Sequence, residues 1–149
     1  MSQAGIKRLD DDSLLALAAI RLKLLMQADT AGCAALARGQ PGSNLQPMLG
    51  KLSDEDVNQY FELTYQAMTA ELNQSPAARQ ADVGQLKRIL NTMVTGLPQA
   101  GQPRLMADLK NLAAAGDDEV CWTERTLQTE ASKLSRRDQI QWLLAQAAE

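Results

Sequence analysis

Histidine is absent from the 149 residues. That removes the commonest general base, the Ser-His and Cys-His nucleophile pairs, and the usual transition-metal ligand. Aromatic residues amount to only 3%: two tryptophans, two tyrosines and one phenylalanine. A core therefore has to be assembled from Leu, Ala, Val and Met. β-Branched residues are scarce while Leu, Ala, Gln and Glu are plentiful, a balance that favours helix. No apolar run reaches the roughly 18 residues that span a bilayer. The densest one, Leu14–Met26, contains Arg21 and Lys23. Positive charge is also in deficit, at a net −3. A surface of that sign disfavours nucleic acid and anionic membranes as partners. Gly50-Lys51 lacks the other residues of a phosphate loop, and no dinucleotide, zinc-protease, nucleophile-elbow or calcium-loop pattern occurs. The expectation is no catalytic residue, no cofactor and no metal.

What is present is a chain that is 45% hydrophobic, long enough to bury a core as one domain over residues 1–149. Leu14, Leu15, Leu17, Ile20, Leu22, Leu24, Leu25 and Met26 cover most of a helix circumference, leaving a narrow strip through Ala16, Ala19, Lys23 and Gln27. A helix apolar on nearly every side needs neighbours on several sides, so it is expected at the centre of the fold. Asp11, Asp12 and Ser13 cap its start. It is expected to run from about Asp12 to Arg38 through the small residues Ala31 to Ala35, with Gly39 and Pro41 as the stop. Residues 1–9 are expected to form a flexible arm.

Gly39 to Leu52 has the turn chemistry of a loop. Ser53 followed by Asp56 resembles a capping box and opens a second helix, in which Val57, Phe61, Tyr65, Met68 and Leu72 form one apolar face, expected inward. Ser75-Pro76 has the form of a helix start, followed by the stripe Val83, Leu86, Leu90, Met93 and Leu97. Leu105, Leu109 and Leu112 mark a fourth helix, Val120, Leu127, Ala131 and Leu134 a fifth, and Ile140, Leu143, Leu144 and Ala147 a sixth opened by Ser135 and Asp138. The stripes do not recur at a fixed period, which excludes a tetratricopeptide array. The expected fold is all-α, a compact bundle of five to six helices around the N-terminal one.

Carboxylates cluster at Asp10–Asp12, Asp54–Asp56 and Asp117–Glu119. Each cluster stands at an expected helix start, where it offsets the helix dipole, so capping accounts for all three. Cys33 and Cys121 are either a disulfide or two buried thiols behaving as small hydrophobes. A disulfide implies an oxidising compartment, most simply a periplasm reached after removal of a leader. The Asp10-Asp11-Asp12 flank does not suit a signal peptide, which makes the cytoplasm the default. A nucleophilic Cys121 is opposed by Asp117, Asp118 and Glu119 around it.

Trp122 and Trp142 each sit about 200° around their helix from the preceding core position, at ~100° per residue. They are either exposed aromatic anchors, with Arg125, Arg136 and Arg137 as a rim, or signs that these helices are buried on more than one side. Three functions follow in order. The first is a non-enzymatic protein that blocks or adapts a protein partner, as inhibitors and immunity proteins do, with a basic partner favoured by charge. The second is a secretion chaperone or oligomeric subunit, with a homodimer through the tryptophans. The third is an enzyme working through paired carboxylates in a cleft.

Overall fold

Leu14, Leu17, Ile20, Leu24 and Leu25 are all buried on one helix, α2 (Asp11–Gln27), which packs against elements on several sides. The computed structural model describes residues 3–147, and among them there are nine α-helices and no strand. The fold is all-α, a bundle around that N-terminal helix. Its polar strip is exposed through Asp12, Ala19, Lys23 and Gln27, close to the strip read from the sequence.

The first helix does not run to Arg38. It ends at Ala28, whose backbone is extended, and the Asp29 carboxylate accepts the Gly32 N–H to start a separate α3 (Thr30–Ala37). The break is stabilised from far away. The Arg125 guanidinium donates to the carbonyls of Leu25 and Ala28 at 2.8 and 2.6 Å, satisfying groups a helix end leaves open. Redirected by this corner, α3 lies along α8 (Asp117–Ser132) and brings Cys33 to Cys121, with a Cα separation of 5.3 Å and the sulfurs bonded.

Of the expected arm, Met1 and Ser2 lie outside the described residues. Gln3–Ile6 is a short helix, α1, and Gly5, Ile6 and Leu9 are buried. The expected loop after Gly39 contains α4 (Leu45–Leu49), which buries Met48 beneath α2 and α3. Ser53 caps α5 (Asp54–Asn73) by accepting the Asp56 N–H. The next helix, α6 (Val83–Thr95), starts at Asp82 and not at Ser75-Pro76. The intervening segment is held extended by tertiary bonds: the Arg79 N–H donates to the Lys7 carbonyl, its guanidinium to Leu9 and Asp11, and Arg8 reaches Gln74 and Pro76.

α7 (Gly101–Asn111) and α9 (Arg136–Gln146) complete the bundle, with Ser135 accepting the Asp138 N–H at the start of α9. The core falls into two clusters. The larger surrounds α2, with Leu63 and Ala67 of α5 and Ile140 and Leu144 of α9. The smaller joins Ile89, Met93, Leu105, Leu127 and Ala131 from α6, α7 and α8. No described helix is long and apolar enough to cross a membrane.

Candidate protein-binding surface

α5 has two apolar faces, and the bundle uses the thinner one. Leu63 and Ala67 are buried, and Tyr60 is half-buried beside them. The close approach that makes this possible involves Gly5: a Cβ there would stand 2.3 Å from the Ala67 carbonyl oxygen, so only glycine lets α1 lie this near. Lys23 pairs with Asp56 at 2.7 Å and Ser13 bonds Gln66 at 3.4 Å, fastening the same side of α5 to α2.

This anchoring turns the larger stripe outward. Phe61, Tyr65, Met68 and Leu72 are 56%, 71%, 52% and 83% exposed, where an inward face was expected from their spacing. The reason is that α5 sits at the edge of the bundle, against α1 and α2 only in any extent. No other element covers its outer side. From Phe61 to Leu72 the ridge is about 16 Å long at 1.5 Å per residue. Single exposed apolar residues are ordinary, but a contiguous row of this kind marks an interaction surface in soluble proteins.

The helix around the ridge is one-signed. α5 carries Asp54, Glu55, Asp56, Glu62 and Glu71 and no lysine or arginine. Lys23 occupies Asp56 and holds its carboxyl below the ordinary carboxylate range. Among the described residues no ion pair engages the other four.

The five residues first singled out as a partner surface do not form one patch. Trp122 is half-buried against the smaller core cluster, with the Arg104 guanidinium 3.9 Å from its ring centre. Trp142 is half-buried in the same cluster, and its buried indole N–H has no hydrogen-bond partner among the described residues. Arg125 holds the end of α2, and Arg136 pairs with Asp12 at 2.7 Å. Arg137 is exposed and lines a depression with Arg136, Arg79 and Ile140, whereas Trp122 and Arg125 line a different one. Both tryptophan-bearing helices are thus buried on more than one side.

Chain comparison adds nothing to this geometry. No family model, curated protein or solved structure matches the chain.

Two other features have chemical character. Asp108 and Glu119 stand side by side, bridged to Thr123 and Arg104. Burial and the Glu119 carboxylate push Asp108 up, whereas Arg104 holds Glu119 down. Glu119 belongs to the first turn of α8, where its charge suits the helix start. A cleft of about 480 Å³ opens among α2, α7, α8 and α9, its mixed lining including Leu14, Leu17, Arg21, Arg38, Glu124 and Trp142. Among the described residues no group of three potential metal ligands converges.

Proposed function

We propose that this chain is a protein-binding helical module that acts by occupying a partner, without a catalytic step of its own, in the manner of an inhibitor, an immunity-type protein or an adaptor. The observation that carries the reading is the ridge of α5. Four large apolar side chains are held out to solvent on a helix whose opposite face is locked to the bundle. Leaving such a row uncovered forgoes burial worth about 25 cal/mol per Å², so it is kept for a surface that covers it. The Cys33–Cys121 bond supports an oxidising compartment such as a periplasm as the place of action.

A homodimer through α5 is the weaker alternative. Antiparallel pairing of two such helices brings the acidic first turn of one beside Glu71 of the other at each end and the two Glu62 near the middle, with no base on α5 to compensate. Site-specific photo-crosslinking separates the readings. A benzophenone side chain at Tyr65 or Leu72 is expected to form one adduct with a different protein in the producing cells, and a probe at Lys87 none. Adducts only between copies of the chain, or no adduct from the ridge, would overturn the proposal.

A further inference from the structure

We infer that the occupant of the α5 ridge is a cationic amphipathic helix of a partner protein. The inference rests on the protein-binding reading above and specifies the chemistry of what binds. A straight, narrow ridge about 16 Å long matches the apolar stripe of one helix laid alongside it, side chains of one entering the spaces of the other.

The charge on either side selects the partner's flanks. Taking ~100° per residue, Glu62 and Glu55 lie about 90–110° to one side of the ridge centre, and Glu71 about 90° to the other. Asp54 is in line with the ridge at its N-terminal end. Glu62 and Glu71 therefore border the apolar row on opposite sides, with Asp54 and Glu55 beyond its N-terminal end. Among the described residues none of the four is in an ion pair. A helix with Lys or Arg beside its leucines meets opposite charge along both edges, which speeds encounter and fixes register. A second copy of this chain presents acid at those positions. An anionic membrane surface is repelled for the same reason, since interfacial helices carry their basic residues beside the apolar face.

The test uses the full oxidised chain, isotopically labelled, and two synthetic 20-residue helical peptides with identical leucine stripes. One is flanked by lysine and the other by glutamate. The lysine peptide is expected to shift backbone amide resonances of residues 57–73 and to bind at least tenfold more tightly than the glutamate peptide. Tyr65→Ser with Leu72→Ser is expected to weaken it tenfold or more. Glu62→Gln with Glu71→Gln, both outside the capping turn, should weaken it about fivefold, the scale of two exposed pairs. The circular dichroism of each variant confirms that the bundle is intact.

Equal binding of the two peptides on α5 would overturn the cationic-partner inference and leave the protein-binding reading standing. Lysine-peptide binding that ignores the ridge substitutions would overturn both. So would concentration-dependent dimerisation through α5, or co-flotation with phosphatidylcholine–phosphatidylglycerol vesicles that the ridge substitutions abolish.

Discussion

Arg125 shows how much one side chain decides here. Its guanidinium caps α2 by reaching two carbonyls about a hundred positions earlier, and so it stabilises the corner that separates α2 from α3. Arg125→Met keeps the aliphatic packing but removes both charge-assisted bonds. A loss of about 2 kcal/mol is expected, read as a lower urea midpoint. Arg88 illustrates an electrostatic effect. It donates two hydrogen bonds to Asp138 at 2.9 and 2.8 Å and holds that carboxyl below its ordinary value of 3.8. An acid whose pKa is depressed by folding adds stability above its unfolded pKa, and that stability is lost as pH falls through the folded one. Arg88→Gln is therefore expected to lower the thermal midpoint at pH 7. The gap from the parent should narrow once the pH drops below about 3.8 and close when Asp138 is protonated in both.

At the scale of elements, the α1–α5 contact depends on the absence of a Cβ at Gly5. Gly5→Ala is expected to push α1 off α5 at a cost of about 1–3 kcal/mol, measured by chemical denaturation. Gly116→Ser serves as the contrast. Nothing lies within 4 Å of a Cβ there, and the N-cap of α8 lacks a side-chain acceptor. A gain of a few tenths of a kcal/mol is expected from that change. The helices with strong local signals were readable in advance. Ser53 and Ser135 cap where the spacing to Asp56 and Asp138 says they should. The start of α6 was not, because Arg79 and Arg8 tie the residues from Pro76 onward to the turn that follows α1 and keep them out of a helix. Asp29 is a capping residue between two apolar segments, and the break it offers is stabilised from outside by Arg125 and by Lys51, which donates to the Gln27 carbonyl at 3.0 Å.

For the molecule as a whole, Cys33–Cys121 ties α3 to α8 across a sequence separation of 88 residues. In the chain-entropy description closing such a loop stabilises the fold by roughly 4–5 kcal/mol. Cys33→Ala with Cys121→Ala is expected to lower the denaturant midpoint of the parent accordingly, and dithiothreitol should lower the parent's midpoint while leaving the double variant unchanged. The two half-buried tryptophans belong to this scale too. Trp142 stands off its helix's main stripe because Ile140 and Leu144 belong to the larger core cluster while the indole packs on the smaller one. Trp122 packs on the smaller cluster together with Leu127 and Ala131 of its own stripe, and the spacing alone leaves such a contact indistinguishable from solvent.

The amino-acid order by itself determined the helical class, the central place of the Leu14–Leu25 segment and the capped starts of α5 and α9, since propensity and capping act over about four residues. At α8 the expected caps Asp117 and Asp118 fall inside the first turn, and Gly116 holds the N-cap position without a side-chain bond. The order left Cys33 and Cys121 open between a disulfide and two buried thiols, which the packing of α3 on α8 decided. Which face of α5 goes inside was decided only by tertiary structure. Tyr60, Leu63 and Ala67 on one side and Phe61, Tyr65, Met68 and Leu72 on the other both have helical spacing. The choice came from Gly5, Ser13 and Lys23, forty or more positions away in most cases, whose sizes and bonds fit the smaller face and leave the larger one in water.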